Sequence, residues 1–275
     1  MKSLRENLLK KFFDPSPPIL KPVDLVLIFT KKQPEELALP GRAIIVFDQG
    51  DLKRLLNKRK HKLIDAWTNF RWIYEIDDSN TIVTKSYFGG PNVAALIEEL
   101  SVFGVKEFVL WGYCGGIGEA VNLGDIIIAQ GALREDGVSH HYLDNKESIP
   151  PSAPCDKEGV EGFSGCDFVY TDWFDRWEKE AVDVGILKGL IWSCDALYRE
   201  TRDKIEKYRK LGISAVEMEV ASFYAVCSYR QLKCVAFLVV SDLLKHGRWT
   251  PGFHTKPFDN GVRKMAEFML ERIIA

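Results

Sequence analysis

The sequence predicts an α/β fold in one domain, and three observations carry that prediction. Short runs rich in Val, Ile and Leu alternate along the chain with stretches of helical period. Several of those runs, such as Glu107–Trp111 and Val235–Val240, are apolar almost without interruption, as strands covered on both faces by helices are. No internal repeat and no domain linker breaks the chain after residue 22, and 275 residues suit one large core.

Element by element, residues 1–20 read as a short polar helix followed by a Pro-rich stretch, so residues 1–22 form an extension and 23–275 the domain. Val23–Phe29 and Ala43–Phe47 read as strands, and residues 51–68 as a charged helix. Arg71–Ile76 and Thr81–Tyr87 form a strand pair. Asn92–Phe103 reads as a helix, with Asn92 as its N-cap and Val93, Leu96, Ile97 and Leu100 on one face. Glu107–Trp111 and Asp125–Ala129 are strands. Residues 137–165, rich in Gly, Pro and Ser, form a long irregular segment of the kind that is functional or mobile. A helix at 172–184, a strand at 186–192, a charged helix at 199–211, an apolar helix at Glu219–Tyr229, a buried strand at Val235–Val240 and a closing helix at Gly261–Ile274 complete the pattern.

Composition narrows the function classes. Hydrophobic residues make up 46% and charged residues 28% of the chain, which excludes a disordered tail, a collagen-like fibre and a disulfide-dense scaffold. A net charge of −2 gives no electrostatic footprint for nucleic acid. No apolar run reaches the roughly 18–20 residues of a membrane span, and the charged N-terminus lacks a secretory core, so a cytoplasmic protein is expected. The six cysteines form no CxxC pair and no zinc-type spacing with histidine, so no metal site is expected and the thiols read as reduced.

Four segments carry chemistry. Tyr87-Phe88-Gly89-Gly90-Pro91-Asn92 is a glycine turn at a helix start, where free N–H groups attract anions; it also serves as a plain strand-to-helix turn. Trp111-Gly112-Tyr113-Cys114-Gly115-Gly116 is a second glycine turn at a strand end, and ligands of open α/β sheets bind beyond such ends. Glu217-Met218-Glu219 puts two carboxylates two residues apart, so they cannot share a helix face. One can accept hydrogen bonds from a ribose diol while the other caps or pairs. Ser241-Asp242 closes an apolar strand with an acid, a candidate for a raised pKa and proton donation or, equally, a helix N-cap.

In this order and spacing the segments resemble the nucleoside phosphorylase-I family, which holds the purine nucleoside and uridine phosphorylases, and most closely its uridine-phosphorylase-like branch. The likeness runs from about Ala43 to Ile274. It implies three layers, α/β/α, around a distorted, mostly parallel central sheet. It also implies cleavage of a ribosyl N-glycosidic bond by phosphorolysis. A small-molecule nucleoside would be the partner, with neither nucleic acid nor membrane involved, in a homotrimer or homohexamer. No resident cofactor is implied, inorganic phosphate being the co-substrate. By this likeness Asp242 protonates a leaving purine, Glu219 and Met218 hold the ribose, and Leu197, Tyr198 and Ser241 border the base. Gly90, Asn92, Cys114 and Asp48 are the candidates for the anion or water site.

The departures fall on that anion site. The family's Pro-Gly-Asp-Pro-x-Arg turn is here Phe47-Asp48-Gln49-Gly50-Asp51-Leu52, with Asp48 at the glycine position and Leu52 at the arginine position. Leu110 replaces a second phosphate-binding arginine, and Tyr113 a small hydroxyl. A dianion favours bidentate arginines, and a carboxylate repels it. Two alternatives therefore stand beside phosphorolysis. One is a hydrolase in which Asp48 or Asp51 activates water, and the other a non-catalytic nucleoside-binding protein.

Overall fold

A computed structural model describes residues 12–64, 71–144 and 168–275. Eleven strands among them join one sheet: β1 (Arg42–Val46), β2 (His61–Leu63), β3 (Ile73–Ile76), β4 (Thr81–Lys85), β5 (Glu107–Gly116), β6 (Ile126–Glu135), β7 (Phe168–Tyr170), β8 (Leu187–Cys194), β9 (Ile213–Glu217), β10 (Lys233–Lys245) and β11 (Arg248–Pro251). The helices are α1 (Pro22–Thr30), α2 (Gln49–Leu56), α3 (Gly90–Val102), α4 (Ser139–Tyr142), α5 (Phe174–Asp183), α6 (Arg202–Lys210), α7 (Val220–Tyr229) and α8 (Lys256–Phe268).

Strands β4, β1, β5 and β10 run parallel side by side. Beyond β10 the sheet turns on itself. β10 pairs antiparallel with β6, β6 runs parallel to β8 and β8 to β9, and β9 returns to β5 through Gly115 and Gly116. Five strands thus close a ring, which is the physical source of the sheet's distortion. The closure depends on missing side chains. A Cβ on Gly115 would stand 2.5 Å from Leu244, and one on Gly116 2.8 Å from Leu243.

Alternation along β5 separates the two faces of the sheet. Phe108 and Leu110 pack with Val93, Leu96 and Leu100 of α3 and Phe223 of α7. Val109 and Trp111 pack with Leu52 and Leu55 of α2, Trp177 of α5, and Val262 and Met265 of α8. These are the two helical layers, and both clusters are fully desolvated at the sheet. A smaller cluster of Trp192, Tyr208 and Ile213 seats α6.

Several elements differ from expectation. Val23–Phe29 is helix α1, not a strand, because Pro22 occupies its first turn and Asp24 accepts the Lys21 backbone N–H at 3.2 Å. A seven-residue apolar run fits either state, and among the described residues no strand pairs with it. The helix expected over 51–68 stops at Leu56, and β2 follows; residues 65–70 lie outside the described ones. The second glycine turn is no turn, since Gly112, Gly115 and Gly116 lie within β5. Of the irregular segment 137–165, the first residues form α4, and 145–167 lie outside the described residues with Cys155 and Cys166. The other four cysteines are buried and free. Strand β11 was not expected. Its signal is His246-Gly247, both at positive φ in a two-residue hairpin loop between Lys245 and Arg248.

Candidate active site

The carboxyl ends of β1, β5, β9 and β10 open into one cavity of about 560 Å³. Of the expected site residues, Asp48, Cys114, Leu197, Met218, Glu219, Ser241 and Asp242 line it. Three do not. Tyr198 is 95% exposed and points elsewhere. Gly90 sits under α7, where a Cβ would meet Ser222 Oγ at 2.1 Å, so its small size serves packing. Asn92 is half-buried within the first turn of α3, and its side-chain amide donates to the Phe88 carbonyl at 2.7 Å. The N-cap of α3 is Gly89, at φ +94°.

The glycine turn contributes differently. Gly89 N–H donates to Glu219 Oε1 at 2.5 Å, so a carboxylate of this chain takes the anion-seeking amide. Glu217 and Glu219 divide their work as their spacing requires. Glu217 Oε2 accepts the backbone N–H groups of Glu219 and Val220, at 2.6 and 2.8 Å, and Ser193 Oγ donates to its other oxygen. It therefore caps α7 and holds the Glu-Met-Glu turn rigid. Burial pushes both carboxyls above the ordinary glutamate range. The nearby Glu219 charge adds to the rise at Glu217, and the Gly89 N–H opposes the rise at Glu219.

Asp242 owes its aim to a bulge. The β5–β10 register slips between Val240 and Asp242, which places Asp242 opposite Gly115 at the mouth of the cavity. The carboxylate is not isolated, as its place on an apolar strand had implied. Ser241 Oγ donates to Oδ1 at 2.7 Å, and Trp249 Nε1 on β11 donates to Oδ2 at 2.8 Å. Glu200 lines the cavity on this side, and burial together with the Asp242 charge raises its pKa to about 7.

The corner below β1 is built otherwise. Asp48 is the N-cap of α2, with Oδ1 accepting from Gly50 N at 2.6 Å and Asp51 N at 3.3 Å. Asp51 is 2% exposed and accepts the Tyr113 hydroxyl at 2.6 Å. Burial raises its pKa to about 6, the Tyr113 hydrogen bond opposing and the Asp48 charge adding. Tyr113 is held from its other side by an edge-on contact with Phe258, ring centroids 5.1 Å apart. Leu52 and Leu110 are fully buried in opposite core layers. Arg54 and His254 border the cavity. Among the described residues, no group of three or more His, Cys, Asp or Glu is placed to hold a metal ion.

Sequence reasoning missed Glu200, Trp249, Arg54 and the Phe253–Phe258 wall. Glu200 and Arg54 lie on a 3₁₀ turn and a helix whose surroundings no local pattern reveals. The hairpin loop was the available signal for Trp249.

Residues 42–275 match the family model of the phosphorylase superfamily. Guanosine phosphorylase from Halorubrum lacusprofundi is 28% identical over 209 residues, 76% of this chain and 77% of that protein. A DeoD-type purine nucleoside phosphorylase from Clostridium novyi is 30% identical over 190 residues, 66% of this chain and 71% of that protein. Uridine phosphorylase from Haemophilus influenzae is 24% identical over 180 residues, 62% of this chain and 68% of that protein. Purine nucleoside phosphorylase from Toxoplasma gondii, solved with immucillin-H, shares the fold at a TM-score of 0.65 and 18% identity, covering 88% of this chain and 92% of that one. Among the described residues no helix is long and apolar enough to cross a membrane.

Proposed function

The chain belongs to the phosphorylase superfamily, and on that premise we propose that it cleaves the N-glycosidic bond of purine ribonucleosides by phosphorolysis. As a pentosyltransferase of the nucleoside phosphorylase family it acts on nucleosides; the purine preference, the residue roles and the use of phosphate are the reading offered here. One observation carries it: Glu219 and Asp242, from separate strand ends, line the same cavity. A buried carboxylate suits the ribose 2′- and 3′-hydroxyls, which replace water as donors. Met218 packs beside the sugar, with Leu197 and Ser241 on the base side. As the C1′–N9 bond lengthens, the ribosyl group gains oxocarbenium character and the base gains electrons at its imidazole ring. As general acid Asp242 passes a proton to N7, and a phosphate oxygen bonds to C1′, giving free base and ribose 1-phosphate. Ser241 and Trp249 orient the acid by donating to it. The reading takes the enzyme as a cytoplasmic homo-oligomer, trimer or hexamer. Exposed Ile28 and Phe29 on α1 support association of subunits.

Phosphate is held weakly in this reading. Arg54 is the one arginine among the described residues lining the cavity, and the carboxylates of Asp48 and Asp51 stand beside it. The same corner favours a second reading, hydrolysis with Asp51 drawing a proton from water. Asp48 is the poorer base, its Oδ1 being taken by the start of α2. Base release from inosine, adenosine, guanosine, methylthioadenosine and uridine, with and without phosphate, tests both. Ribose 1-phosphate from the purine ribosides is expected. Free ribose in phosphate-free buffer turns the result to hydrolysis, and uridine as the sole substrate overturns the purine reading.

A further inference from the structure

Asp51 is 2% exposed, the most enclosed of the carboxylates that line the cavity among the described residues. Its Oδ2 accepts the Tyr113 hydroxyl, and the Tyr113 ring rests against Phe258, so the carboxylate is held in place. Among the described residues Oδ1 has no donor within the protein. Nor does it belong to the polar atoms sealed in the interior without a partner, which are Trp111 Nε1, Trp177 Nε1 and Arg209 Nε, so it opens to the cavity. An enclosed acceptor without a donor carries a desolvation cost that a ligand hydrogen removes. The surroundings narrow that ligand. Arg54, one turn along α2, lines the cavity without an ion pair among the described residues, and its charge draws an anion. The first amides of α2, at Gly50 and Asp51, are taken by Asp48 and are closed to it. The corner thus offers an anion one arginine and one acceptor, with the Asp48 carboxylate alongside. A fully ionised oxyanion meets that acceptor with a lone pair and is repelled, whereas an oxyanion that keeps a proton satisfies it.

We propose that Asp51 is a specificity-determining residue of the anion corner, whose Oδ1 accepts a hydrogen bond from the protonated oxygen of inorganic phosphate and so rejects oxyanions that carry no proton. The inference rests on the phosphorolytic reading above. Near neutral pH phosphate keeps a proton, and sulfate, of similar shape and size, does not. The pKa of about 6 at Asp51 lies close to that of a phosphate oxygen, so a single proton serves the pair whichever oxygen carries it. Against sulfate the same carboxylate presents an unpaired charge, and a buried acceptor discriminates most strongly against a ligand that leaves it unpaired. Asp51→Asn reverses that polarity. With its carbonyl accepting from Tyr113, its NH2 group turns a donor toward the anion.

The test follows phosphate-dependent base release from inosine, adenosine or guanosine near neutral pH and at constant ionic strength, with sulfate as competitor, in wild type and Asp51→Asn. In wild type the inhibition constant of sulfate should exceed the KM of phosphate by about 10- to 100-fold, and in the Asn variant the two should come within about threefold. Where the Asn variant turns over too slowly, the rise of its melting temperature with phosphate and with sulfate reads the same ratio. Sulfate that competes with phosphate as an equal in wild type overturns the inference without any variant, so a failure of Asp51→Asn to fold, detected by its melt, does not shelter it. A gap that persists undiminished in the folded Asn variant also overturns it, because the discrimination then lies elsewhere. Base release that needs no phosphate and yields free ribose overturns the phosphorolytic reading and this inference together. Phosphate-dependent release without discrimination against sulfate overturns this inference alone.

Discussion

At the corner of the cavity proposed for sugar and base, Glu219 and Asp242 keep their places on the wall because other groups do the structural work around them: Glu217 caps α7, and Trp249 reaches across from β11. At the anion corner the acids are themselves the structure. Asp48 caps α2, Asp51 is locked to Tyr113, and the two positions that resemble arginine sites hold core leucines. Both corners have carboxylates of raised pKa, at Glu219 and at Asp51, so burial alone does not distinguish them. The difference lies in what each carboxylate faces. A site for a neutral diol tolerates buried acids, whereas a site for a dianion is weakened by them.

The largest effect should come from Asp242→Asn, which removes the proton donor but keeps the shape of the side chain and one carbonyl oxygen able to accept from Ser241 or Trp249. Base release from purine ribosides should fall by about 10²–10⁴ with the melting temperature little changed. Wild-type turnover by this variant would break the assignment of the chemistry to that corner. Glu219→Ala comes next. Each charge-assisted hydrogen bond to a ribose hydroxyl is worth roughly 1.5–3 kcal/mol, so ribosides should suffer far more than 2′-deoxyribosides. Equal losses would make Glu219 a mere partner of Gly89.

Asp51 provides a comparison by pH. Its folded-state pKa of about 6 lies above the ordinary 3.8, so the native state binds the extra proton between those values. Its stabilising contribution is complete below the lower value and is lost as pH rises through about 6. Over that window unfolding free energy should drop by on the order of 2–3 kcal/mol on this account. Glu217 and Glu219 act with the same sign at higher pH. Denaturant titrations from pH 4 to 7.5 should show the fall, and Asp51→Asn should flatten it. An unchanged slope would place the shift elsewhere.

Asp48 gives the smallest effect. Asn caps helices as well as Asp, so Asp48→Asn should leave stability and rate nearly unchanged, while Asp48→Ala should cost about 1 kcal/mol. Slowed base release by the Asn variant, measured without phosphate, would return Asp48 to catalysis and erase the contrast between the corners.

The carboxylates of the cavity were legible as candidates because their identities and short spacing already constrain them. Glu217 and Glu219, two apart, had to divide, and Ser241-Asp242 ends a strand whose apolar run is plain in the chain. The strand and helix alternation was legible for the same reason, since period and composition are local properties. The closed ring of β5, β10, β6, β8 and β9 was not, because it joins residues more than a hundred positions apart and is enforced by contacts at Gly115 and Gly116. Nor was the fate of the glycine turn. Its N–H groups were expected to wait for an anion, and the fold brings Glu219 to one of them from 130 residues away. Sequence by itself determined the fold class, the strand-end position of the acids and the leucines at positions 52 and 110. Only the tertiary structure decided which acids cap helices and which face the cavity. Hydrogen-bond satisfaction depends on what lies within about 3 Å in space, and a chain's local pattern does not encode that distance.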